Sequence, residues 1–304
     1  TPRLLGSTGY AMPETVLIGE HVGFMSNLKA PNTFDHVYRR TAHEVAHQWW
    51  GYRIDPLEVK GGSMLVESLA KYTELVMIKR KYGQDYANRL VAHEHRRYFN
   101  GRGRSSQHEV PMYHADRQHL IYSKASVVMN ALLHEIGEEV VNKALRDLVV
   151  HHGGDSNLPI TLDFIGYLKQ YAPESKHDVI AQWLEQVVYD DLEISDATVT
   201  TNVSGTYEVT LMVKGQRFIE NGKGKVSELT RNIPTRIALY SENPLWLEPD
   251  EVKAHEHAIT SVNVSQNGVQ ITVQTAKKPA YAMIDPHFLS LDRNRDNNLL
   301  QLSQ

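Results

Sequence analysis

His43-Glu44-Val45-Ala46-His47-Gln48-Trp49-Trp50-Gly51 contains the pattern H-E-x-x-H. Positions four apart on an α-helix sit about 40° apart around its axis, so His43 and His47 share one face and can hold one zinc ion. Glu44 lies slightly aside, where it can take a proton from an attacking water. The helix is legible without the motif. Phe34, Val37, Tyr38, Thr41, Val45 and Trp49 recur at three- and four-residue spacing, and Gly51 follows as a stop. Thr33 or Asp35 can cap its start.

Such a zinc site needs a third protein ligand and an open position for water. Ser63-Met64-Leu65-Val66-Glu67-Ser68-Leu69-Ala70-Lys71-Tyr72 begins a second helical pattern that runs to about Lys81 and is closed by Gly83. Leu65, Leu69, Tyr72, Val76 and Lys79 or Arg80 form its stripe. Glu67 falls in the first turn, where a returning antiparallel helix can present a carboxylate to the metal.

The combination H-E-x-x-H-Q-W-x-G plus a glutamate on the next helix resembles the gluzincin aminopeptidases of the aminopeptidase N family. In that family the third ligand lies in an N-E-G-F-A-like segment, eighteen residues beyond the second histidine. Val66-Glu67-Ser68-Leu69-Ala70 takes that place here, after the nineteen residues Gln48 to Val66. The extra residue is expected in the loop Lys60-Gly61-Gly62-Ser63, and the resemblance gives Glu67 the ligand role. The chain is most similar to peptidase-like domains fused to bacterial ABC-type permeases, which share H-E-V-A-H-Q-W-W, the longer gap, M-L-x-E-S-L-A and a D-R-N-x-D-N ending. Asp292-Arg293-Asn294-Arg295-Asp296-Asn297 matches that ending.

The same resemblance implies two further roles. An aminopeptidase recognises a free α-ammonium, for which a carboxylate is the natural partner. The family supplies it from a G-x-M-E-N loop before a short apolar strand. Gly9-Tyr10-Ala11-Met12-Pro13-Glu14-Thr15 is similar, with Pro13 inserted and Thr15 replacing asparagine, and the strand candidate Thr15 to Ile18 follows. Glu14 is therefore the expected anchor, ahead of Glu20 at the far end of that strand. Peptide hydrolysis also needs a donor for the oxyanion. The family uses a tyrosine from a Y-x-K-G-like segment, and Tyr122-Ser123-Lys124-Ala125 matches it with alanine for glycine. His114 and His119, just before it, are candidates for the pocket lining but read better as surface residues, and His93, His95, His151 and His152 as solvated.

Composition sets the bounds. The chain has 304 residues, enough for two domains, with an ordinary 41% hydrophobic and 22% charged content. A formal net charge of -4 makes no case for nucleic acid. Without cysteine, metal ligands must come from histidine and carboxylate. No apolar run reaches the ~18 residues of a transmembrane helix. The start at Thr1, without a visible signal peptide, suggests a soluble domain excised from something longer; tethering to a membrane permease is implied by resemblance only.

The expected fold is α+β. A mainly helical, thermolysin-like zinc peptidase domain covers 1–190, with helices at Gln84 to Phe99, Tyr122 to Ile136, Glu138 to Val150, Leu162 to Tyr171 and Lys176 to Val188. Alternating patterns such as Thr206 to Val213, Thr235 to Tyr240 and Gly268 to Val273 predict an antiparallel β-sandwich of roughly seven strands over 191–290. Residues 291–304 read as a polar tail. Asp292, Asn294 and Asp296 have a calcium-loop spacing, but Asn297 and Ser303 stand where that loop wants glycine and an acid, so a polar turn is expected. The functional expectation is a metallopeptidase with one zinc per chain, removing N-terminal residues from peptides. The rival is a zinc-stabilised binding or regulatory domain of a transport assembly with little turnover.

Overall fold

A computed structural model describes residues 8–28, 33–154 and 156–302. The N-terminal unit, Thr1–Val187, opens with a hairpin of β1 (Gly9–Met12) and β2 (Thr15–Ile18), paired antiparallel from Gly9↔Ile18 to Met12↔Thr15. A short helix α1 (Glu20–Gly23) follows. The long helices are α2 (His36–Ala46), α3 (Leu69–Tyr82), α4 (Gln84–Arg104), α5 (Ala125–Ile136), α6 (Glu138–His152), α7 (Thr161–Tyr171) and α8 (His177–Leu184). Single π-helical turns, Met64–Ser68 and His119–Lys124, lead directly into α3 and α5.

Asp35 caps α2, its Oδ1 accepting from the Tyr38 amide at 2.8 Å. Gly83 and Gly137 join α3 to α4 and α5 to α6 with φ of +90° and +86°. An added Cβ would meet nothing within 4 Å at either place. Glycine is needed there for its backbone conformation, not for space. Helix α5 is buried on every side from Ala125 to Leu132 and packs on α3, α4, α6 and α8. It is the core of the unit, with Ser126 and Asn130 the polar residues within its buried run.

Several expected details are revised. The apolar stripe of α2 is not its buried face: Val45 and Trp49 are 41% and 50% exposed, while Arg39, His43, Glu44 and Ala46 are buried. Helix α4 runs through Asn100-Gly101-Arg102-Gly103 instead of ending at Phe99. Gly101 lets it lie against the second π turn, since a Cβ there would sit 2.4 Å from Cβ of His119. Helix α8 stops at Leu184, and Val187 already opens a strand. His95 and His152 are buried rather than solvated. His152 Nδ1 and Nε2 lie 2.9 Å and 3.2 Å from the Asn157 carbonyl and the Tyr167 hydroxyl.

The second unit, Val188–Gln304, is built on antiparallel strands. These are β3 (Val187–Thr201), β4 (Tyr207–Glu220), β5 (Val226–Leu229), β6 (Ile233–Tyr240), β7 (Glu256–Val264), β8 (Val269–Thr275), β9 (Tyr281–Ile284) and β10 (Leu299–Gln301). One sheet has the order β10-β9-β6-β7, and the other β3-β4-β5 with β8 also on β4. Alternate residues such as Leu192, Val209, Leu211, Ile237, Leu239 and Val273 share one apolar core, as in a sandwich. Among the described residues no helix is long and apolar enough to cross a membrane.

The segment expected as a polar tail, 291–304, is built into this unit as far as it is described; Ser303 lies outside the described residues. β10 pairs with β9, Leu300 opposite Ala282, and Leu302 enters the core. Composition misled because these polar groups are satisfied internally. Asp292 is fully buried and accepts from the amides of Leu192 at 3.2 Å and Asn294 at 3.0 Å. Arg293 pairs with Asp191 and Arg295 with Asp285. The polar turn is a structural clamp.

Burial pushes the Asp292 carboxyl from 3.8 up to about 7, against the opposing pull of Arg295 and its hydrogen-bond donors. The folded state therefore holds this proton more tightly than the unfolded chain. The resulting stability is fully present below the unfolded pKa and is lost as pH rises to about 7, up to roughly 4 kcal/mol. Thermal unfolding at pH 4 to 8 should show a smaller loss with rising pH in Asp292→Asn than in wild type. Identical pH slopes would rule the effect out.

Candidate metal centre and active-site cleft

His43 comes from the last turn of α2 and His47 from its C-cap. Their rings are perpendicular, with centroids 4.9 Å apart. Glu67 comes from the first π turn. Its Oε2 lies 3.3 Å from Nε2 of His43 and 3.4 Å from Nε2 of His47, and the three ligand atoms fall within 4.8 Å of one another. A tetrahedral zinc with bonds of about 2.0–2.1 Å separates its ligand atoms by roughly 3.3–3.4 Å. The donor set thus fits that ion in chemistry and in spacing.

The far sides of both rings face oxygen atoms. His47 Nδ1 lies 2.9 Å from the carbonyl of Trp50, to which it donates as N–H, leaving Nε2 with its lone pair. His43 Nδ1 lies 3.3 Å from Oε2 of Glu74. Glu74 is itself held by Lys71, 2.9 Å from both its oxygens, and by Arg39. Arg39 and Lys71 also reach Glu94, which accepts from Ser123 at 2.9 Å. Five buried polar side chains from α2, α3, α4 and the second π turn thus back the centre. This network explains why the inward face of α2 is polar: its counter-charges arrive from α3 and α4. Burial works against ionisation of Glu74, but Arg39 and Lys71 hold its carboxyl well below the usual range. Glu94 is lowered to about 2, with burial opposing Lys71 and Arg39.

Burial disfavours a charged His47, yet Glu67, the Trp50 carbonyl and Glu44 outweigh it and raise its pKa. Burial likewise opposes charge on Glu67, while the two imidazoles hold its carboxyl far below the usual range. Electrostatics that draw positive charge to this point suit a divalent cation equally.

A cleft of about 340 Å³ opens on the three groups, and Glu44, Tyr122 and strand β1 line it. Glu44 is 3% exposed. Gly9 lets β1 pass close by, since a Cβ there would stand 2.5 Å from Glu44 Oε1. Tyr122 comes from the second π turn, its ring centroid 5.9 Å from that of His43. Burial first, then the Glu67 charge, raises its pKa, so the phenol remains a proton donor at neutral pH. The two π turns are tied by Ser68 Oγ, which donates to the Ile121 carbonyl at 2.9 Å. Both Glu67 and Tyr122 are therefore delivered by π turns, a feature common at functional sites. A π turn also absorbs one extra residue, so the longer gap before Glu67 has a second place to go besides the loop before Ser63.

Glu14 is not brought to this cleft. It occupies the two-residue β1–β2 turn after Pro13, with φ +58°, and is exposed. Gln48 clamps that turn to α2: Nε2 donates to the Met12 carbonyl and Oε1 accepts from the Glu14 amide, both at 2.9 Å. Glu20 is exposed at the start of α1. His114 and His119 are half-buried and do not line the cleft. The reading from sequence missed three contributors. They are Gln48; Tyr52, whose hydroxyl donates to the Ala11 carbonyl at 2.8 Å; and Arg40. Gln48 stood in the quoted motif, and the rest had no local signal.

Residues 15–187 match the peptidase family M1 domain. No curated protein matches the chain. Among solved structures, the crystal structure of Legionella pneumophila aminopeptidase A in complex with aspartic acid is similar, with a TM-score of 0.55 and 17% sequence identity. The likeness covers 94% of this chain and 30% of that one, so the chain spans about a third of its length. At that identity it bears on fold alone, which is α+β in both.

Proposed function

The chain belongs to peptidase family M1, and on that premise we propose that it is a zinc-dependent metallopeptidase acting as an aminopeptidase on peptides. One zinc per chain would be held by His43, His47 and Glu67. The observation that supports this best is the convergence of those three groups in the cleft that Glu44 and Tyr122 also line. When bound, zinc supplies Lewis-acid polarisation and lowers the pKa of water. Glu44 is the general base: it takes the proton of the attacking water and passes it to the leaving amine. Tyr122 donates its hydroxyl hydrogen to the oxyanion that develops on the scissile carbonyl.

Zinc-loaded protein should hydrolyse aminoacyl and short-peptide substrates, and a chelator should abolish the activity. No chelator-sensitive hydrolysis across a broad panel would leave the binding-domain reading in its place.

By resemblance alone Glu14 is the proposed partner of the substrate ammonium; its place on the exposed β1–β2 turn, outside the cleft lining, makes the test pointed. Loss of a charge-assisted contact costs roughly 1.5–3 kcal/mol, so Glu14→Ala should impair free-amine substrates far more than N-acetylated ones. An unchanged preference, with Glu20→Ala abolishing it, transfers the role to Glu20.

A further inference from the structure

Arg40 stands one helical turn before Glu44 on α2, on the same face, and both line the cleft. Its neighbour Arg39 turns inward, is 9% exposed and is committed to Glu74 and Glu94. Arg40 differs. Its stem crosses Gly9, where a Cβ would lie 2.7 Å from Cδ. Its side chain is 28% exposed, and Nη1 makes one long contact, 3.5 Å from Glu44 Oε1. A guanidinium carries five N–H donors in a fork matched to a carboxylate. Most of these are unspent among the described residues, and no other arginine or lysine among them lines the cleft.

We propose that Arg40 binds a carboxylate carried by the leaving half of the substrate. This rests on the assigned role of Glu44. To hand over its proton, Glu44 must come within about 2.6–3.2 Å of the leaving nitrogen. Arg40 approaches that same carboxylate, so its free donors lie beside the residue that leaves. In a dipeptide the α-carboxylate is two bonds from the leaving nitrogen, within reach of the fork. An acidic side chain on that residue offers the same chemistry from a second source. The site thereby favours dipeptides, or peptides acidic after the scissile bond, over neutral longer chains.

The test compares alanyl-alanine, its C-terminal amide and alanyl-glutamate α-amide on zinc-loaded wild type, Arg40→Gln and Arg40→Lys. Wild type should prefer at least one carboxylate-bearing substrate to the neutral amide by roughly tenfold or more in kcat/KM, mainly through KM. Arg40→Gln should bring that ratio near one, and Arg40→Lys should restore part of it. Preference for alanyl-alanine assigns the C-terminal carboxylate, and preference for the glutamate amide assigns the side chain. Equal kcat/KM for all three on wild type, or an unchanged ratio in Arg40→Gln, overturns the proposal. If none is hydrolysed, the peptidase reading has failed separately. Calorimetric binding of the same three compounds then decides: an Arg40-dependent preference for carboxylate supports the proposal, and equal affinities sink it.

Discussion

Glu67→Ala is expected to strip the chain of zinc. The two imidazoles alone leave a site with half of a tetrahedral set. Losing a hydrogen-bond partner behind a ligand typically costs 10–100-fold in metal affinity, and losing the ligand itself should cost more. Metal analysis after dialysis should find wild type near one zinc per chain and Glu67→Ala nearly empty. Glu74 is the instructive control, because both glutamates lie within 3.3 Å of a His43 nitrogen. Glu74 touches Nδ1, and its oxygens are engaged by Arg39 and Lys71. Removing it should weaken zinc only indirectly. It should also destabilise the fold by about 3–5 kcal/mol, since two buried cations lose a counter-charge. Full zinc retention in Glu67→Ala, with loss in a folded Glu74 variant, would exchange the two roles.

The parts of this site that could be read in advance are those written locally. H-E-x-x-H fixes two side chains through helical spacing, and Asp35 announces a helix start through its own cap. The β-unit was legible because Val209, Leu211 and Val213 alternate with exposed neighbours such as Met212. What could not be read depends on distant partners. Nothing near Arg39 says that Glu74 and Glu94 will meet it, so the apolar stripe of α2 pointed to the wrong face. A π turn has no period of its own, so Met64–Ser68 and His119–Lys124 looked like ordinary helix starts. Asp292 and Arg293 read as solvent-loving because their partners, such as Leu192 and Asp191, lie about a hundred residues away. The exposure of Glu14 follows from the Pro13-Glu14 turn, whose geometry a resemblance to a linear motif does not carry.

Glu44→Gln and Tyr122→Phe should separate the chemistry from the metal. Neither residue belongs to the His43, His47, Glu67 set, so both variants should keep wild-type zinc. Glutamine preserves the volume of Glu44 beside Gly9 but cannot take a proton, and loss of a general base costs about 10²–10⁴ in turnover. Phenylalanine preserves the Tyr122 ring against His43 and removes only the hydroxyl. Loss of one oxyanion donor costs on the order of 10²–10³. Because both groups are proposed to act on the transition state, kcat should fall while affinity for a ground-state ligand changes little. Wild-type turnover by Tyr122→Phe would move the donor elsewhere, with Tyr113 the next candidate. Loss of zinc from either variant would mean that these side chains hold the metal site together and that their catalytic assignment is wrong.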